Sequence, residues 1–83
     1  MSSAEDIVVD ARGHRCPTPT LRLQRALRDA APGQRVRLLA DDPLARIDVP
    51  HFLSSTSFVL VESSASPEGE LSFLVETPSR SGR

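Results

Sequence analysis

The chain has no lysine, no tryptophan, no tyrosine and a single cysteine. One cysteine cannot close an internal disulfide, so a disulfide-stapled fold and a two-thiol redox cycle are both excluded. Three phenylalanines without Trp or Tyr offer few platforms for stacking bases, and a formal charge of −1 gives no overall field to gather nucleic acid or anionic membrane. Two histidines beside one cysteine are too few for a metal site of ordinary composition. The longest apolar run, Phe58-Val59-Leu60-Val61, is far short of a membrane span, and the opening Met1-Ser2-Ser3-Ala4-Glu5-Asp6 lacks the basic and apolar regions of a signal peptide. The expectation is a cytoplasmic protein with no cofactor, no metal, and no direct nucleic-acid or membrane partner.

With 83 residues, 39% of them apolar, the chain suits one small soluble domain, folded over about residues 7–76 with polar, aperiodic ends that fray. Ile7-Val8-Val9 reads as a short buried strand ending at Asp10, after which Gly13 permits a turn. A helix comes next. Leu23, Ala26, Leu27 and Ala30 share one face, Arg22, Arg25, Arg28 and Asp29 take the other, and Pro32-Gly33 stops it. Its start has two readings, with Thr18 as N-cap and Pro19 at the first helical position, or Cys16 as cap with Pro17 at that position. Residues 34–40 alternate and then turn apolar, as a strand entering the core does.

Asp41-Asp42-Pro43 ends that strand, with Asp42 placed to cap a short turn. Because proline inside a helix removes a hydrogen bond and clashes with the preceding turn, the second helix is expected to begin only at about Asp48 or Val49, with Pro50 in its first turn, and to end at Ser55. Phe58–Val61 reads as a central strand, apolar on both faces. Ser66-Pro67-Glu68-Gly69 forms a tight turn, and Leu71, Phe73 and Val75 alternate with Ser72, Leu74 and Glu76 in the last strand. The order βαβαββ predicts an α/β two-layer sandwich, a four-stranded mixed sheet with both helices on one face.

Cys16 stands at the first strand-to-helix junction, in Gly13-His14-Arg15-Cys16-Pro17-Thr18-Pro19. A thiolate gains from a helix N-terminus and from nearby cations, here Arg12 and Arg15, with His14 as a third candidate. A helix dipole is worth roughly 0.3–1 kcal/mol at an exposed site, too little to activate a thiol by itself. Pro17 and Pro19 also lack amide hydrogens, so they contribute rigidity rather than an anion nest, and the arginines must carry more of the activation. All ten basic residues are arginine, and six of them fall in the 24 residues 12–35. Two readings stay open, a solvated helix face or a docking surface for an acidic partner built from Leu21, Arg22 and Arg25. Asp41, Asp42 and Asp48 are read as structural caps rather than as a metal or acid/base cluster.

Asp10-Ala11-Arg12-Gly13-His14-Arg15-Cys16-Pro17-Thr18-Pro19 resembles the Cys-Pro-x-Pro signature of the TusA/SirA sulfur-carrier family, and Asp41-Asp42-Pro43 through Pro50-His51-Phe52 resembles its second motif. The resemblance spans about residues 7–76. It implies the same two-layer fold and a Cys16 persulfide, taken from a cysteine desulfurase or rhodanese and relayed to an acceptor protein in tRNA thiolation, molybdenum-cofactor assembly or sulfur metabolism. Such a protein is a sulfurtransferase-type carrier rather than a stand-alone catalyst, and a monomer suits it. The chain departs from the family pattern at His14, where Leu is common, at Ser57-Phe58, where Gly-His is common, and at Glu76-Thr77, where the strand often ends in basic residues. The alternative reading is a regulatory or interaction module of the same fold that transfers no sulfur.

Overall fold

Alternation of apolar and polar residues sets the sheet, and helical spacing sets the layer that covers it. In the computed structural model, which describes residues 6–15 and 18–78, the elements are β1 (Ile7–Asp10), α1 (Thr18–Asp29), β2 (Arg35–Ala40), α2 (Ala45–Ser54), β3 (Val59–Ala65) and β4 (Leu71–Glu76). The strands lie in the order β1-β2-β4-β3, with β1 parallel to β2 and both other pairings antiparallel. This is the two-layer α/β sandwich expected from the sequence. Val36, Leu38 and Ala40 stand opposite Val75, Phe73 and Leu71. All six face the helices, where Leu23 and Leu27 of α1 and Ala45, Val49 and Leu53 of α2 complete the core.

Several details differ from expectation. Phe58–Val61 is not a central strand: β3 begins at Val59 and lies at the sheet edge with most side chains exposed, and β4 is the inner strand. The reason lies in the second half of β3, where Glu62-Ser63-Ser64 is suited to water, while β4 buries Leu71, Phe73, Leu74 and Val75. The ladder to β4 is also irregular between Leu60 and Glu62, and such a break discourages edge-to-edge pairing. β1 is buried on one face only, leaving Val8 at 59% exposure.

The helix-free face of the sheet is closed over at its centre. Leu74, only 5% exposed, has Arg37 and Glu62 as its direct cross-strand partners. Arg37 pairs with Glu62 at 3.6 Å and donates to Ser72 Oγ at 2.7 Å. The aliphatic stem of an arginine held in this way covers an apolar neighbour that would otherwise face water.

Helix α2 starts about a turn earlier than expected and contains Pro50 in its interior. Pro50 is exposed, so the Arg46 carbonyl that loses its helical donor stands on the watered side. The apolar spacing Ala45, Val49, Leu53 keeps the opposite side packed. Thr18 is already helical, so it is not the N-cap of α1. Thr77, expected to fray, is buried: its hydroxyl lies 2.8 Å from the Ala31 carbonyl oxygen and 3.0 Å from that of Gln34, and its amide donates to Gln34 O.

Candidate functional site

Parallel strands end at the same edge of a sheet, so the segments after β1 and β2 become neighbours. The β1–β2 ladder runs one residue past β1, with Ala11 N–H donating to Leu39 O at 2.8 Å. The chain then turns through Arg12 and Gly13, closed by His14 N–H to Ala11 O at 3.2 Å. Gly13 has φ 87°, the left-handed value that the third position of a type II turn demands and that an L side chain resists. From the second segment, Asp41 reaches across 28 residues of sequence, and the Gly13 N–H lies 3.0 Å from each of its carboxylate oxygens. Asp41 is thus bound to the first loop instead of capping α2.

Asp42 serves the start of α2. Its carboxylate accepts Leu44 N–H at 3.0 Å and its carbonyl accepts Ala45 N–H at 2.9 Å, while Pro43 O accepts Arg46 N–H at 3.1 Å. Asp48, expected near the helix start as a cap, lies inside the first turn, its own amide donating to Leu44 O at 2.8 Å. Between the two loops is an open depression of about 350 Å³, lined by Gly13, His14 and Arg15 on the first and Asp41, Asp42 and Pro43 on the second. Cys16 and Pro17 lie outside the described residues. Their described neighbours in sequence are Arg15, whose carbonyl accepts Thr18 N–H at 2.9 Å, and Thr18 itself. Pro19 is buried and anchors the first turn of α1 in the core.

The three cations expected beside the thiol are not equivalent. Arg12 is taken by two carboxylates, Asp10 at 2.8 Å and Glu70 at 2.9 Å, so its charge is offset rather than offered to a neighbour. The hydrogen bonds from Arg12 hold the Asp10 carboxyl at a pKa of about 2, and Asp10 and then Glu70 raise that of Arg12 above its already high ordinary value. His14 Nε2 lies 3.3 Å from Arg22 Nη1, a contact in which the arginine donates and the imidazole accepts. Arg15 is exposed, and among the described residues its side chain has no ion-pair or hydrogen-bond partner. Sequence reasoning missed Glu70, which no local pattern connects to the loop. The reach of Asp41 was recoverable from the parallel pairing of the first two strands.

On the outer face of α1, a groove of about 270 Å³ is lined by Thr18, Leu21, Arg22, Gln24, Arg25 and Arg28. Leu21 is 57% exposed there. Leu44 and Ile47, 54% and 67% exposed, add two apolar side chains at the start of α2. Among the described residues no group of three or more His, Cys, Asp or Glu could hold a metal ion, and no helix is long and apolar enough to cross a membrane.

Residues 7–77 match the family model described as Sulfurtransferase TusA. The chain belongs to the TusA family. The match begins with β1 and ends at Thr77, so it takes in both loops and every element of the fold. Among TusA relatives, a protein of Pseudomonas aeruginosa (strain LESB58) named "Sulfur carrier protein TusA" is 39% identical over 62 residues, covering 75% of this chain and 78% of that protein. A "Putative sulfur carrier protein" of Archaeoglobus fulgidus is 35% identical over 68 residues, covering 82% and 88%. The crystal structure of a SirA-like protein from Desulfitobacterium hafniense shares the fold, with a TM-score of 0.75 at 23% identity over 87% of this chain and 97% of that one.

Proposed function

We propose that this chain is a sulfur carrier whose Cys16 accepts sulfane sulfur as a persulfide from a donor protein, a cysteine desulfurase or a rhodanese, and relays it to an acceptor protein. The observation that carries this reading is the TusA match over residues 7–77, with relatives named sulfur carriers, in a chain that has one thiol. The sequence position of that thiol supports it, next to Arg15, which has no charge partner among the described residues, and shortly after a turn tied down by Asp41.

In the first step the Cys16 thiolate attacks the outer sulfur of a donor R–S–S–H. A Cys16 S–S bond forms, the donor S–S bond breaks, and R–S⁻ leaves with the electron pair. The proton on the transferred sulfur is then given up to solvent, and Arg15 stabilises the resulting persulfide anion. In the second step the outer sulfur takes a proton back from solvent, an acceptor thiolate attacks it, the S–S bond to Cys16 breaks, and the Cys16 thiolate leaves. Sulfane sulfur changes hands with no net oxidation. With no second cysteine in the chain, no internal disulfide can form and discharge the cargo.

The α1 groove supplies a docking face, with Leu21 as apolar anchor and Arg22 and Arg25 as the charges that meet an acidic donor or acceptor. A monomer working in the cytoplasm suits a carrier that visits two partners in turn. Acceptors in tRNA thiolation, molybdenum-cofactor assembly and sulfur metabolism are separated by capture on Cys16→Ser protein compared with the unsubstituted chain. The carrier reading itself is tested by alkylation: at about pH 6.5 Cys16 should react with iodoacetamide faster than glutathione does. A thiol that reacts only after denaturation would instead favour the interaction-module reading.

A further inference from the structure

We infer that Asp41 is a positioning residue for sulfur transfer, acting through the backbone of the turn that precedes Cys16. The inference rests on the carrier reading for its functional consequence, and on geometry for its cause. In the turn Ala11–His14 the central peptide, between Arg12 and Gly13, has two orientations of similar energy when glycine occupies the third position. They are the type I and type II forms, and exchanging them reverses the direction of the Gly13 N–H. The observed φ of 87° at Gly13 selects the type II form, and its N–H is received by both carboxylate oxygens of Asp41 at 3.0 Å. A hydrogen bond to an ionised acceptor is among the stronger ones at a protein surface.

Among the described residues no other contact of this turn fixes that peptide. The His14 to Ala11 bond closes both forms alike, and the Arg12 side chain is anchored to Asp10 and Glu70 beyond the peptide in question. A Cβ at position 13 would meet nothing within 4 Å, so glycine is required by the turn conformation and not by crowding. Arg15 lies two residues later, and its carbonyl is the acceptor for the amide of Thr18 at the start of α1. Flipping the central peptide leaves the course of the chain nearly unchanged, so Asp41 acts by tying the turn across to the end of β2, which holds the Gly13–Arg15 wall of the depression against the Asp41–Pro43 wall.

The test compares Asp41→Ala with Asp41→Asn, because asparagine keeps an oxygen for the Gly13 amide while losing the charge. Two readouts are taken on the full chain: hydrogen exchange of the Gly13 amide by NMR, and the single-turnover rate of sulfur loading from a cysteine desulfurase. Asp41→Ala should expose the Gly13 amide to exchange and slow loading by about tenfold, as a misdirected reacting group does. Asp41→Asn should retain amide protection and restore most of the rate. Unchanged Gly13 exchange in Asp41→Ala, or an Asp41→Asn protein as slow as Asp41→Ala, overturns the inference. If the unsubstituted chain takes up no sulfur, the carrier reading fails on its own, and Gly13 exchange together with the pH profile of iodoacetamide alkylation still decides whether Asp41 orders the turn. If Asp41→Ala does not fold, Gly13→Ala, which disfavours the same turn with Asp41 intact, should slow loading in the same way, and a wild-type rate there contradicts the role.

Discussion

Arg12 Nη1 lies 2.9 Å from Glu70 Oε2, joining the turn after β1 to the residue that ends the β3–β4 hairpin loop, 58 positions away in sequence. With Asp10 on its other side, Arg12 serves as a structural strut between two loops. Among the described residues Arg15, unlike Arg12, has no carboxylate partner.

The two arginines should therefore differ in their effect on the thiol. A unit charge at about 4 Å is worth about 1 kcal/mol in water, or roughly fivefold in an equilibrium. Arg15→Ala should slow alkylation of Cys16 at near-neutral pH by about that factor, and Arg12→Ala by less. Equal slowing by both, measured as pseudo-first-order rates with iodoacetamide, would show that the carboxylates do not offset Arg12.

Asp10 gives a pH prediction with a defined sign. Its folded pKa of about 2 lies below the ordinary 3.8, so the Arg12 pairing favours the ionised, folded form. That contribution is fully present above pH 3.8 and is lost as the pH falls through about 2. Carbon-detected NMR should place the Asp10 carboxyl midpoint near 2 in the unsubstituted protein and close to the ordinary value in Arg12→Ala. A midpoint that Arg12→Ala leaves in place would rule out Arg12 as the cause.

Leu21 and Leu23, two residues apart on α1, should separate docking from stability. Leu23 is fully buried and Leu21 is 57% exposed. Leu23→Ala should cost about 3 kcal/mol in urea unfolding, a large part of the stability of so small a domain. Leu21→Ala should stay within about 0.5 kcal/mol of the original while slowing transfer from a protein donor. Unimpaired transfer at saturating and limiting donor alike would remove Leu21 from the docking face.

Much of this was legible in the sequence, where apolar periodicity specified βαβαββ and the core face of α1. The illegible features depended on contacts between distant residues. Phe58–Val61 has an inner strand's composition, yet β3 continues into the polar Glu62-Ser63-Ser64, whereas β4 buries Leu71, Phe73, Leu74 and Val75 and takes the inner place. Asp41 had the appearance of a cap because it stands beside Asp42-Pro43, and only the pairing of β1 with β2 brings Gly13 to it. Arg12 reads as an activating cation until Glu70 is folded against it.

Pro50 lies inside α2 and can be replaced. Proline in a helix interior costs about 3 kcal/mol when the lost bond is fully felt, and less where water can serve the freed carbonyl. Pro50→Ala should restore a donor to the Arg46 carbonyl and raise stability by about 1 kcal/mol or more, seen as a higher urea midpoint at unchanged slope. A lower midpoint would mean that the helix start depends on the proline.

The proposed role of Cys16 is to hold sulfur in transit between two proteins. The direct measurement is the intact mass of the protein after incubation with a cysteine desulfurase and cysteine in sulfide-free buffer, with Cys16→Ala run beside it. The expected result is a gain of one sulfur atom that is confined to the chain with Cys16 and is reversed by an acceptor thiol. No gain, or an equal gain in Cys16→Ala, would contradict it.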